Sequence, residues 1–303
     1  MRVFIIGASG YIGRAVTDHV LGAGHSITAL VRNDSSAAVL ATTDVRVVAG
    51  SVEDLDAVER GLDGADAAIY LAIQGTHGAS DADRVALQSI ARHLRGGGGP
   101  LIVTSGLSVY VGAPDPVVDE ATSLDHVPSS QAWRVDLERE LLALDAPVVI
   151  IRPAGVYGRG TAGPVLLAPL RYAREHGEAL VAGEGANLIP VVHVDDLAAA
   201  YTQALTAAPA RTVINIASTS VTGRDFARGI SFAAGLGGEL AVRTPAEIVS
   251  ALGPLAGPFM LDLRQSNFTV TQLLGWAPSA PSLLYELLHG TLSSTPDGHA
   301  GPP

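Results

Sequence analysis

Val3-Phe4-Ile5-Ile6-Gly7-Ala8-Ser9-Gly10-Tyr11-Ile12-Gly13 decides how the rest of this chain is read. An apolar run rich in β-branched residues stops at Gly7, and a helix-period segment, Tyr11 to Leu21, begins almost at once. The three glycines therefore sit on a strand-to-helix turn. In that setting Gly7 allows the tight turn, Gly10 lets a diphosphate approach the backbone, and Gly13 lets the helix pack closely on its strand. The amides of the helix N-terminus are left to hold an anion. The stretch predicts a dinucleotide site formed by Gly7, Ala8, Ser9, Gly10, Tyr11, Ile12 and Gly13.

Working outward, Ser26–Val31 reads as a second strand ending at Arg32, where an acidic residue would bind the adenosine ribose hydroxyls. A guanidinium there suits a 2′-phosphate instead, so the expected cofactor is NADP(H) rather than NAD(H), with Arg14 adding charge. Strands over Val45–Ala49, Asp66–Ala72 and Leu101–Thr104 alternate with helices over Asp54–Leu62 and Ser80–Leu94. That alternation implies right-handed crossovers and an α/β, Rossmann-type, doubly wound parallel sheet, with ligands at the strand C-terminal ends. A helix over Ser129–Leu144 leads into a strand at Val148–Ile151.

Residues 1–160 are thus assigned mainly to the nucleotide domain. Residues 161–292 are assigned mainly to a smaller substrate lobe, with His193 to Leu205 returning to the first domain and Val213–Ile216 remaining in the lobe. The polar, Pro- and Gly-rich stretch 293–303 reads as a disordered tail. A net charge of −11 argues against nucleic acid as partner, and no run of eighteen apolar residues suggests a membrane span. The first strand follows Met1 directly, so a cytoplasmic protein is expected. There is no cysteine, hence no disulfide framework or thiolate metal site, and the chain carries no lysine: all 19 basic residues are arginine.

With these motifs quoted, the chain resembles the extended or atypical short-chain dehydrogenases/reductases of the NAD(P)-dependent epimerase/dehydratase type. The resemblance spans about Arg2 to Leu292. It rests on the glycine turn, on Gly64-Ala65-Asp66, on Arg152-Pro153-Ala154-Gly155-Val156-Tyr157-Gly158, and on Val192-His193-Val194-Asp195-Asp196-Leu197-Ala198. It implies that Leu71, Ala72 and Ile73 lie beneath the adenosine side, Thr104 and Ser105 along the ribose, and Pro153, Ala154, Gly155 and Val156 near nicotinamide. The family's adenine-binding aspartate is replaced by Ser51 and Val52, so that contact falls to a backbone group. The resemblance fits a monomer, or a homodimer through the helices at Ser80–Leu94 and Ser129–Leu144.

The family's catalytic pair is a tyrosine acid/base and a lysine four residues on. Matching its trailing glutamate to Glu138 puts Arg134 at the lysine position and Ser130 at the tyrosine position, while the family's carbonyl-polarising serine becomes Gly106, beside Ser105 and Ser108. The family asparagine on the preceding helix aligns with Asp83. An arginine does not give up its proton, and a serine hydroxyl is far too weak an acid to replace a phenol of pKa ~10. Arg134 can bind the ribose, or form an exposed pair with Glu138 one turn on. Candidate proton donors are Tyr157, Tyr110, Asp83 and His193. His193, Asp195 and Asp196 are sequence neighbours and make no metal site. The sequence reading is an NADP(H)-dependent reductase of a small or medium apolar carbonyl or enone, its apolar wall drawn from Leu166, Leu167 and Pro169. The alternatives are a non-redox isomerase, epimerase, cyclase or dehydratase, and an NADP-sensing binding protein.

Overall fold

The computed structural model describes residues 1–72, 79–96 and 99–293. In chain order the elements that position the site are β1 (Arg2–Ile6), α1 (Tyr11–Gly22), β2 (Ser26–Val31), α2 (Asp34–Leu40), β3 (Val45–Ala49), α3 (Leu55–Leu62), β4 (Ala67–Tyr70) and α4 (Asp81–Leu94). There follow β5 (Leu101–Thr104), α5 (Ser129–Leu142), β6 (Val148–Pro153), β7 (Gly155–Gly158), α6 (Pro164–His176), β8 (Leu188–His193), α7 (Val194–Ala207) and β9 (Thr212–Ile216).

Seven strands form one sheet in the order β9-β6-β5-β4-β1-β2-β3, every neighbouring pair parallel. Successive residues of β1 feed opposite faces: Val3 and Ile5 join the core on the α1 and α7 side, Phe4 and Ile6 the core on the α3 and α4 side. Burial on both faces is why these strands read as unbroken apolar runs rather than alternating ones. The chain crosses to opposite sides from β1, so the switch in strand order lies between β1 and β4, the crevice where doubly wound sheets bind ligands.

Three features differ from the sequence reading. Val213–Ile216, placed in the second lobe, is the outer strand of the central sheet, with Ile214 opposite Ile151. The nitrogen of Arg211 donates to Val148 O and that of Ala154 to Ile216 O, closing both ends of this pairing. An isolated apolar run carries no mark of which sheet it will join; α7, packed on α1, brings it back. The helix α2 is absent from that reading, although Asn33 caps it by accepting from Ser36 N at 2.9 Å. Finally, Leu166 and Pro169 are buried inside the second lobe, Leu166 against Gly155, and belong to its core rather than to a substrate wall. Residues 294–303, most of the expected tail, lie outside the described residues.

Candidate cofactor and active site

The turn after β1 is built around the absence of three side chains. Gly7 holds φ at +93°, and a Cβ there would lie 3.1 Å from the backbones of Leu71 and Ala72, so the ends of β1 and β4 meet closely. Gly10 N donates to Gly7 O at 3.1 Å. A Cβ on Gly13 would stand 2.0 Å from Gly7 O and 2.8 Å from Ala8 C and O, which no relaxation of a side chain can relieve. The helix that follows starts bare: its cap, Gly10, offers no side-chain acceptor, and its first turn holds no acidic residue. The next three helices are capped by the side chains of Asn33, Asp54 and Ser80. Only α1 of these four presents unoccupied N–H groups at the switch point, as a bound diphosphate requires.

Ala8 is buried, while Ser9 and Ile12 are half-buried along this turn. The Tyr11 side chain ties this turn to a distant part of the chain. Its hydroxyl lies 3.0 Å from Gly158 O and 3.3 Å from Thr161 O, strapping α1 to the loop after β7; burial first, then Asp195, pushes its pKa up. Arg32 is exposed one step past the level of Gly7 on the neighbouring strand, and neither it nor Arg14 is ion-paired with a described residue. Ser51 Oγ lies 3.1 Å from the Glu53 carboxylate, and Val52 packs half-buried on the core. Ile73 falls outside the described residues.

At the end of β5 the structure brings together Thr104, Ser105 and Arg134, which line a small cavity with Trp133, Leu137 and Glu138. Thr104 Oγ1 donates to Tyr70 O at 3.1 Å and lies 2.6 Å from the Tyr201 hydroxyl, so it is fixed. Ser105 Oγ is buried with no hydrogen-bond partner among the described residues, and the cavity beside it, about 10 Å³, has room for no more than a single water. Arg134 is half-buried over the Trp133 ring at 4.4 Å, and burial lowers its pKa against the pull of Glu138. Its Nε donates to Gln131 Oε1 at 3.0 Å, and Ser108 Oγ donates to the same oxygen at 2.8 Å. Pro153, Ala154 and Val156 are buried and Gly155 half-buried at the end of β6 and in β7, beside this cavity's sheet.

The other catalytic candidates are committed elsewhere. Ser130 is exposed on the first turn of α5, and Arg134 hydrogen-bonds Gln131 rather than Ser130. Asp83 forms a capping box with Ser80 and accepts the Tyr70 hydroxyl. Tyr157 is wholly buried, its hydroxyl donating to Pro281 O at 2.9 Å, and burial followed by Asp196 raises its pKa; it is a packed strut rather than a proton donor. Tyr110 donates to Asp119 O at 2.8 Å and accepts from Asn215 and Arg152 inside the core. His193 Nδ1 accepts from Asp195 N at 3.2 Å, capping α7. Glu138 does not pair with Arg134 at the surface: it is buried, bound to Arg152 through both carboxylate oxygens at 3.1 and 3.2 Å from Nε.

The family model described as NAD(P)H-binding matches residues 7–208, beginning at the first glycine of the turn. The chain belongs to the NAD(P)H-binding family. The likeness to atypical short-chain dehydrogenases/reductases holds across the fold. A 3-diazoavenalumate denitrifying reductase from a Streptomyces species is 27% identical over 93% of this chain and 97% of that protein. A 2-alkyl-3-oxoalkanoate reductase from Stenotrophomonas maltophilia is 26% identical over 66% of this chain and 64% of that protein. Among solved structures, UDP-glucuronic acid 4-epimerase from Bacillus cereus, in complex with UDP-glucuronic acid and NAD, superposes with a TM-score of 0.73 at 16% identity. That match covers 96% of this chain and 98% of that one and speaks to the fold alone.

Sequence reasoning missed two features of the candidate site. Gln131 carries no motif, and its signal was only its place beside Ser130, one turn before Arg134. The other is Arg159, which follows Gly158 at φ +55° and reaches both Asp18 and Asp195, each at 2.6 Å. Burial works to raise the Asp195 carboxyl, but hydrogen bonds and charge from Arg159, then His193 and His19, outweigh it and hold it below the usual value. A depressed carboxyl contributes stability above the unfolded value of ~3.9 and loses it as pH falls through the folded one. The difference in Tm between wild type and Arg159→Ala is therefore expected to be full at neutral pH and to shrink below about pH 4. Thermal unfolding across a pH series from acid to neutral checks it.

Among the described residues no helix is long and apolar enough to cross a membrane, and no group of three His, Cys, Asp or Glu is placed to hold a metal ion.

Proposed function

We propose that the protein is an NADP(H)-dependent oxidoreductase that reduces a small or medium apolar carbonyl or enone and works without the tyrosine and lysine usual in the family it resembles. The observation that carries this reading is the bare N-terminus of α1, aimed into the β1/β4 crevice over a glycine turn too tight for any side chain. The guanidinium of Arg32, ion-paired with no described residue, and the added positive charge of Arg14 support a phosphorylated ribose over an unphosphorylated one. The half-buried Arg134, at the end of β5 beside Thr104 and Ser105, would hold the nicotinamide ribose; the bound cofactor would supply hydride. Two relatives named as reductases, one of them of 2-alkyl-3-oxoalkanoates, favour reduction, and the second favours an oxo compound as acceptor.

Turnover tests the chemistry. Incubation of the protein with NADPH and a panel including 3-oxodecanoate and 2-cyclohexenone is expected to oxidise NADPH in step with loss of the carbonyl compound. Failure of every ketone and enone would overturn the reductase reading. Product formed with no net NADPH consumed would indicate an isomerase instead. The cofactor preference has its own test. Hydrogen bonds to charged groups are worth about 1.5–3 kcal/mol, so Arg32→Ala is expected to weaken NADPH by about 10- to 100-fold and leave NADH unchanged. Equal losses for both dinucleotides would remove Arg32 from the 2′-phosphate.

A further inference from the structure

Among the described residues no free phenol lies near the cavity, yet reduction of a carbonyl builds negative charge on oxygen. Tyr70, Tyr110, Tyr157 and Tyr201 are all buried and hydrogen-bonded. The side chain that bridges the two halves of the site is Gln131, whose oxygen accepts from Ser108 on the segment after β5 and from Arg134 on α5. Arginine can only donate, so the atom facing Arg134 must be the amide oxygen, and the orientation of the carboxamide follows from chemistry alone. Its NH2 is thereby turned away from Arg134, and it makes no hydrogen bond with any described residue. The helix beneath it reinforces a donor role: α5 is capped by Pro128 with no side-chain acceptor and has no acidic residue in its first turn. Its dipole favours negative charge at this end.

Resting on the reductase reading, we propose that Gln131 is a catalytic residue, its carboxamide NH2 donating a hydrogen bond to the substrate oxygen as charge develops there. Ser108 and Arg134 hold the amide oxygen and so aim the donor. With the cofactor bound, the acceptor carbon would gain its C–H bond as hydride leaves NADPH, which would be oxidised to NADP+. The π pair moves onto oxygen as alkoxide or enolate, stabilised by the amide, and water supplies the proton. Gln131 thus does electrostatically what the absent tyrosine does by proton transfer.

Gln131→Glu separates donation from positioning, because it keeps an oxygen for Ser108 and Arg134 but offers no N–H at neutral pH. Removing one such donor costs about 10²–10³ in kcat, and that fall is expected here with NADPH affinity unchanged. A second readout does not depend on turnover: the infrared C=O stretch of 2-cyclohexenone bound together with NADP+ should move to lower frequency in the wild type, and that shift should be lost in Gln131→Glu and Gln131→Leu. If the wild type reduces carbonyls and Gln131→Glu keeps kcat within about twofold, or if the wild type shows no carbonyl shift, the assignment of Gln131 is overturned. If no carbonyl is reduced but the shift appears and needs Gln131, the reductase reading fails while the donor role stands.

Discussion

Gly13→Ala is expected to abolish NADP(H) binding, raising the dissociation constant by at least about 100-fold, and to destabilise the fold by about 1–3 kcal/mol. The added methyl would overlap Gly7 O at 2.0 Å and the Ala8 carbonyl at 2.8 Å. All three clashing atoms are backbone, so the turn can accept the methyl only by opening, and opening moves the amides that hold the diphosphate. Gly22→Ala is the control at the other end of the same helix. A Cβ there meets nothing within 4 Å, and alanine is preferred to glycine in a helix by up to ~1 kcal/mol. Calorimetric titration and urea unfolding of both variants check the pair: Gly22→Ala should bind NADPH like the wild type.

Glu138→Leu is expected to cost about 3–5 kcal/mol, the usual penalty for leaving one member of a buried ion pair alone. Glu138 and Arg152 are only 3% and 4% exposed, and the guanidinium also donates to the Tyr110 hydroxyl. Burial acts to lower the Arg152 pKa, but the hydrogen bonds and charge of Glu138 outweigh it and raise the value. Without Glu138 that balance reverses, and an arginine cannot escape by losing its proton. The damage should also reach the cavity, because Glu138 lies one turn beyond Arg134 on α5 and lines the same space. The double variant Glu138→Leu/Arg152→Met removes both charges and should recover most of the lost stability, since well-packed apolar replacements of buried pairs are often neutral. Urea unfolding of the single and double variants measures it; a double variant no more stable than the single would show that packing, not charge, is at stake.

The nucleotide half of this molecule was legible because its information is local. The run Val3–Ile6, the glycines that follow and the helix period from Tyr11 lie within a few residues of one another, and the steric demands at Gly7 and Gly13 leave little choice of residue. Arg32 and Thr104 could be placed at strand ends because the strand-helix alternation fixes where those ends fall. What stayed hidden depends on partners far apart in the chain. Glu138 looked like a surface neighbour of Arg134 at helical spacing, whereas the fold turns it inward to meet Arg152 from the next strand. Tyr157 and Asp83 looked available because nothing nearby in sequence announces the Pro281 carbonyl or the Tyr70 hydroxyl that occupy them. Thr212–Ile216 joined the central sheet for the same reason: strand pairing is decided by the route of the intervening helix, not by the strand's own residues.

The claim on which the rest depends is that the turn from Gly7 to Gly13 holds a phosphorylated dinucleotide, and calorimetric titration of the wild-type protein with NADPH and then NADH tests it most directly. One saturable site, with NADPH bound more tightly than NADH, is the predicted result. Binding of neither would contradict it.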